Sequence, residues 1–303
     1  MDAQGPSHTA LGAALLRAAH LVLDDASRVF VDTLALSLCG AREPSRLQTM
    51  LGELHHEAAQ LVGPAHALTV VRAVQAAVLV RSRYTEECVE AALTQGVTQY
   101  VILGAGLDTF AYRRPELLDR LRVFEVDHPA MQQWKRDRLR EIEIAIPAAL
   151  TFVPVDFEHQ SLMAALQAGG YRVDERAAFS CLGVSQYLQA AALQSTVTQL
   201  ATAAPGSFLI LGYLVPEALL DAENRRVRTF LNGLTATRGE PIVTDFVPAV
   251  LSRLLESVGF TCVGDLGAEG ELAHYLAGRT DGLRHPQTHR LVHAWVGNSY
   301  RES

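Results

Sequence analysis

The chain has 303 residues, 49% of them hydrophobic, enough to bury a full core in one large α/β domain or two small ones. Its 26 basic and 33 acidic residues leave a formal charge of −7, which gives nucleic-acid phosphates or an anionic lipid surface no general attraction. A small-molecule partner is therefore expected, and a nucleic acid or a membrane is not. The longest apolar runs, Ala73–Val80 and Phe208–Leu211, fall well short of the roughly 20 residues that cross a bilayer. With no basic and apolar leader at the start, a cytoplasmic location is expected. Cys39, Cys88, Cys181 and Cys262 show no CxxC spacing, so they read as reduced core thiols, and no metal site is expected.

The first part of the chain is helical in pattern. Pro64 can start a helix, and Val71, Val74 and Val78 recur on one helical face. Thr85 is expected to cap a further short helix with Glu86 and Glu87 in its first turn, stopped by Gly96. Apolar runs then alternate with segments of helical length at Gln99–Leu103, Arg122–Val126, Leu150–Pro154, Ala177–Ser180 and Ser207–Gly212, which implies βαβ units and a parallel sheet. Two more strands are expected near Thr261–Leu266 and Arg290–Val296. The predicted fold is a Rossmann-like, seven-stranded, mostly parallel sheet with helices on both faces. Residues 1–84 read as a helical cap or lid and residues 85–303 as the cofactor-binding domain, interrupted by a helical insertion at about 214–247.

The run QYVILGAGLDTFAYR carries a buried strand straight into Gly104-Ala105-Gly106, where glycines let the backbone turn tightly and approach a ligand closely. The second strand ends in Glu125 and Asp127, 21 and 23 residues after Gly104, where a carboxylate can accept from the ribose hydroxyls of an adenosine cofactor. The two acids alternate with Val126 and are expected on one face, with Asp127 at the ribose. The third strand ends in Asp156 and Phe157, which could meet an adenine amino group and ring, although Asp156 could equally cap the next helix. A dinucleotide is disfavoured. Thr109 occupies the third small position of its fingerprint, and Asp108 puts negative charge where a pyrophosphate would need donors.

The ordered set LGAGLDTFAYR, VFEVDHPAMQQWKRDRL, FVPVDFE and LGVSQYL resembles the leucine carboxyl methyltransferase and polyketide O-methyltransferase group of class I enzymes that use S-adenosyl-L-methionine (SAM), and within it the bacterial branch. The resemblance runs from about Arg81 to the C-terminus, through HYLAGRTDGL and RLVHAW. It implies SAM as cofactor, with Arg81 at the methionine carboxylate and Gly104, Ala105 and Gly106 along the methionine portion. It also implies Asp127, beside Glu125, at the ribose, and Asp156 with Phe157 at the adenine. Leu182 stands at the cofactor where the carboxyl methyltransferases of the group carry glutamate, which argues against carrying over a leucine-carboxyl acceptor.

The expected activity is O-methylation of a carboxylate or hydroxyl of a small molecule, in secondary metabolism, or of a peptide terminus. Tyr187, after the fourth strand, is the weak catalytic candidate. His128 and His159 are lesser ones, and no general base is assigned. Arg225, Arg226 and Arg228 in the insertion could draw an acidic acceptor or simply form a solvated helix face. His55, His56 and His66 lie in the lid without metal-ligand spacing. A noncatalytic protein of the same fold and, less favoured, an NAD-dependent oxidoreductase remain as alternatives. The oligomeric state is not legible.

Overall fold

The computed structural model describes residues 7–24 and 27–297, apart from the side chain of Cys262. The thiol expected at Cys262 and the outermost parts of the two expected domains (residues 1–6, 25–26 and 298–303) lie outside the described residues. Four helices come first: α1 (His8–Leu23), α2 (Ala35–Leu38), α3 (Pro44–Val62) and α4 (Pro64–Leu93). The alternating part follows as β1 (Gln99–Leu103), α5 (Phe110–Arg113), β2 (Arg122–Asp127), α6 (Pro129–Glu141), β3 (Leu150–Pro154), α7 (Leu162–Ala168), β4 (Ala177–Cys181), α8 (Ala190–Leu200) and β5 (Phe208–Leu214). The chain finishes with α9 (Ala222–Thr237), α10 (Pro248–Val258), β6 (Phe260–Leu266) and β7 (His289–Val296).

The seven strands form one sheet in the order β3-β2-β1-β4-β5-β7-β6, parallel except for β7, which runs antiparallel to both neighbours. Every residue of β1, β4 and β5 is buried, because helices cover both faces. Val101, Leu103, Phe124 and Phe179 join the apolar layer of α7, α8 and α10, while Tyr100, Ile102, Val123 and Ala178 join the layer of α4 and α5. Chain order runs outward in opposite directions from β1 and β4. Their register pairs Leu103 with Cys181, so both carboxyl ends open at one level onto the crevice where ligands bind in such sheets.

The cap expected from Thr85 is not formed. Thr85 is buried in the middle of α4, a single helix of 30 residues. The buried stripe of Val78, Tyr84, Thr85, Val89 and Ala92 runs through this point with no glycine or proline to break it, so packing overrides the capping preference of threonine. The stop does come at Gly96, whose φ of +85° lets the Val97 amide reach back to the Ala92 carbonyl.

The N-terminal helices and the segment after β5 build one structure. α1, α3, α4 and α9 pack together around a shared apolar cluster that includes Leu16, Leu54, Val71, Val74 and Phe230. Glu240, just past α9, accepts hydrogen bonds from the His8 and Thr9 amides at 3.0 and 3.1 Å, two of the amides that the first turn of α1 leaves unpaired. Arg17 anchors the middle of α1: it meets Asp32 at 2.7 Å and donates to the Leu107 carbonyl at 2.7 Å, next to the glycine turn. Asp32 is buried. It also accepts from Thr109 Oγ1 at 2.9 Å and from the Leu34 and Ala35 amides.

Two outcomes follow from these anchors. Glu240→Ala removes the charged acceptor from the start of α1, a contact worth about 1.5–3 kcal/mol per hydrogen bond. Amide exchange over the first turn of α1 should then rise at least about tenfold, and unchanged exchange would show that Glu240 does not hold the cap. Asp32→Asn leaves Arg17 with a weakened partner and should cost about 3–5 kcal/mol in urea unfolding at neutral pH. Burial pushes the Asp32 carboxyl up, but Arg17, Arg113 and Thr109 together hold it below its ordinary 3.8. A lowered carboxylate stabilises the fold above its unfolded pKa and loses that contribution as pH falls through the folded value. The difference between wild type and Asp32→Asn should therefore be full above about pH 4 and shrink in stronger acid.

Candidate functional site

A cavity of about 470 Å³ opens at the carboxyl ends of β1, β2, β3 and β4, roofed by α1, α4 and α9. Its floor begins with the turn after β1, where Gly104 and Gly106 take φ values of +63° and +48°. A Cβ on Gly104 would sit 2.2 Å from a Val184 methyl, so a side chain is excluded there both by conformation and by space. Asp127, the last residue of β2, locks the turn. One oxygen accepts the Gly106 amide at 2.6 Å and the other the His128 amide at 2.7 Å. Burial raises the Asp127 carboxyl above its ordinary value, against these two amides.

Arg81, Gly104, Ala105, Gly106, Asp127, Asp156, Phe157, Leu182 and Tyr187 all line this cavity. Glu125 does not. It shares a face with Asp127 but lies one pleat deeper, under α6, where Lys135 reaches it at 2.6 Å and also donates to the Asp108 carbonyl at 2.7 Å. Burial, partly offset by Lys135, pushes Glu125 up to about 7. Its contribution is thus a buried ion pair that steadies the turn from below.

Arg81 is the unusual group. It projects from α4 into the cavity wall, and among the described residues no hydrogen bond or ion pair engages its guanidinium. Burial, with Arg17 nearby, lowers it to about 10. It lies so close to the backbone after β4 that a Cβ on Gly183 (φ +73°) would meet Nη2 at 2.8 Å. Gly183 is favoured first by its positive φ, and a side chain there would also displace the arginine.

The remaining candidates divide by geometry. Asp156 spends one oxygen on the Glu158 amide at 3.0 Å and the other on His159 at 3.0 Å, so it closes its own loop while lining the cavity. His159 is exposed outside the lining. His128 lines the cavity, but its Nδ1 accepts the Ala130 amide at 3.3 Å as the cap of α6; its neutral form then carries the proton on Nε2 and has no lone pair to act as a base. Burial and Glu240 push the Tyr187 phenol up, so it stays protonated and can donate. Arg225, Arg226 and Arg228 lie outside the lining. Arg228 also departs from the solvated-face reading, being buried against Asp245 at 2.8 Å and the Val215 carbonyl at 3.0 Å.

Sequence reasoning missed Arg17, Glu240 and His289. Arg17 gave one signal, a charge within the apolar run Ala13–His20. His289, at the start of β7, lines the cavity and is kept neutral by burial and by Arg81, His285 and Arg228. Nothing in the spacing linked it to a site.

Comparison with known proteins places this geometry in a family. The leucine carboxyl methyltransferase family model matches residues 10–201. The match begins inside α1, well before Arg81, so the helical segment ahead of the sheet shares the family pattern. A proposed SAM-dependent methyltransferase of Bacillus subtilis, YktD, is 36% identical over 219 residues, 71% of this chain and 71% of that protein. A similarly described protein of Mycobacterium tuberculosis is 38% identical over 164 residues, 53% of this chain but only 51% of its own length. Among solved structures, a proposed methyltransferase of Thermobifida fusca superposes with a TM-score of 0.58 at 15% identity, covering 98% of this chain and 97% of that one, which bears on the fold alone. With the Rossmann-like sheet, the chain belongs to the leucine carboxyl methyltransferase family and is a SAM-dependent methyltransferase.

Proposed function

We propose that the protein transfers the methyl group of SAM to an oxygen, carboxylate or hydroxyl, of a small molecule of secondary metabolism, in the cavity between the strand ends and the helical cap. The observation that carries this reading is Arg81, a half-buried guanidinium in the cavity wall that has no hydrogen bond or ion pair among the described residues, since a partly desolvated charge is costly unless a counter-ion meets it. The methionine carboxylate of the cofactor is a planar anion that a guanidinium can hold by two hydrogen bonds. The cradle at Gly104 and Gly183 leaves backbone without side chains on either side of it. Asp127 is assigned to the ribose, its oxygens retaining acceptor capacity beyond the two amides. Asp156, Phe157 and Leu182 are assigned to the adenine and the adjoining wall. The functional division is a cap of residues 1–84 with the insertion at 214–247, set on the cofactor domain.

When bound, SAM supplies a methyl group made electrophilic by its sulfonium. The protein's own residues then have to align the acceptor and exclude water. The acceptor oxygen forms its bond to carbon as the carbon–sulfur bond breaks and the pair returns to sulfur. A carboxylate gives a neutral ester. A hydroxyl gives an ether and releases its proton to water. Tyr187 serves as a hydrogen-bond donor at the wall.

Calorimetry with S-adenosylhomocysteine tests the cofactor seat. Wild type should bind at micromolar strength, Arg81→Ala roughly 100-fold more weakly, or about 2.7 kcal/mol, and Asp127→Ala should lose binding. Absence of heat from wild type with this ligand and with SAM would refute the seat. Incubation with SAM labelled in the methyl group and a metabolite extract should give a labelled product. Label released by mild alkali marks an ester; for label that survives, the 13C shift of the methyl group separates an ether from methyl on nitrogen or carbon, and either of the last two would refute O-methylation.

A further inference from the structure

One strand brings its opposite end to the cavity. Because β7 runs against the rest of the sheet, its amino end lies beside the carboxyl end of β5, and the register pairs His289 with Leu214. Side chains alternate along a strand, so His289, Leu291 and His293 share one face. That is the face covered by α4. Leu291 joins the same apolar layer as Leu79 and Val80, and Tyr84 Oη meets His293 Nδ1 at 2.9 Å. Arg81 stands about one turn before Tyr84 on α4, as His289 stands two pleats before His293 on β7. The two side chains converge: both line the main cavity and both line a small adjoining space, together with Gly183. Of the charges acting on His289, Arg81 is the strongest.

The imidazole of His289 is half-buried and has one hydrogen-bond partner among the described residues. Its Nδ1 lies 2.9 Å from the hydroxyl of Thr288, and nothing engages Nε2. Thr288 is fully buried, and its hydroxyl has no other partner among the described residues. Were Nδ1 the donor, the threonine proton would be sealed from water without an acceptor, a cost that the reverse arrangement avoids. Thr288 therefore donates to Nδ1, and the neutral ring presents an N–H at Nε2, the side that Thr288 leaves free. Burial and Arg81 keep the ring from taking a second proton.

We infer that His289 is a second ligand of the cofactor: its Nε2–H donates to the methionine carboxylate held by Arg81, so that one anion is gripped from α4 and from β7. The inference rests on the proposed function, which assigns that carboxylate to Arg81, and adds a residue to it. A carboxylate offers about four lone-pair sites. A bidentate guanidinium takes two of them, which leaves room for a third donor. A neutral donor suits that place better than a second cation, because Arg81 already balances the charge and another cation would stay unpaired. Held from two elements, the methionine end cannot swing about the guanidinium, and the sulfonium keeps its alignment with the acceptor.

The test compares S-adenosylhomocysteine with its decarboxylated analogue, which keeps the nucleoside, the thioether and the amine but has no carboxylate. Each is titrated calorimetrically into the full chain. His289→Ala should weaken S-adenosylhomocysteine about tenfold, or about 1.4 kcal/mol, and the analogue by less than about twofold. His289→Gln keeps an N–H donor and should recover part of the loss. Thr288→Val removes the hydroxyl that sets the tautomer and should weaken S-adenosylhomocysteine while sparing the analogue. Undiminished S-adenosylhomocysteine binding in His289→Ala, or an equal loss for both ligands, overturns the inference. So does a glutamine variant no better than the alanine one. Binding of the analogue shows in the same experiment that a variant's site is folded. If wild type itself binds neither ligand, the cofactor seat fails and the inference falls with it, an outcome distinct from a wild type that binds and a variant that binds equally well.

Discussion

One carboxylate sets the level at which the strand ends meet. Asp127 accepts the Gly106 amide at 2.6 Å and the His128 amide at 2.7 Å, so the turn after β1 and the start of α6 are tied to the end of β2. The turn must be glycine-built for this to happen, since it needs positive φ at Gly104 and Gly106 and no side chain against Val184. From below, Lys135 couples the same turn to Glu125 through the Asp108 carbonyl. From the side, Thr109 and the Leu107 carbonyl connect it to Asp32 and Arg17. The floor of the site is therefore braced on three sides before any ligand arrives.

The cap is braced differently. Its helices bury a common apolar cluster, α4 continues from it into the apolar layer against the sheet, and Arg17 ties the middle of α1 to the Leu107 carbonyl. Rigid floor and separately anchored roof suit a reaction in which one partner must be held in register and the other must enter and leave. Arg81 belongs to both, because α4 carries it from the cap bundle down to the backbone at Gly183.

Much of this was legible in the sequence because it rests on local rules. The strands are short apolar runs punctuated by turns, and the acid at the end of β2 follows the glycine turn at a spacing fixed by one βαβ unit. Local rules also account for the errors. Thr85 is a good capping residue, yet the apolar stripe of α4 passes through it. Glu125 and Asp127 follow the same alternation, and only the placement of α6 decides that one is sealed against Lys135 while the other faces the cavity. Glu240, Arg17 and His289 owe their roles to partners far along the chain, and no short window contains that information.

The bond between Glu240 and the start of α1 joins positions 232 residues apart. Such a long closure can open without unfolding the chain between, since the sheet holds its own ends in place. Its loss would cost only the bonds at the seam and the apolar surface behind it. The chamber thus resembles a box whose lid and latch are supplied by segments far apart in the polypeptide.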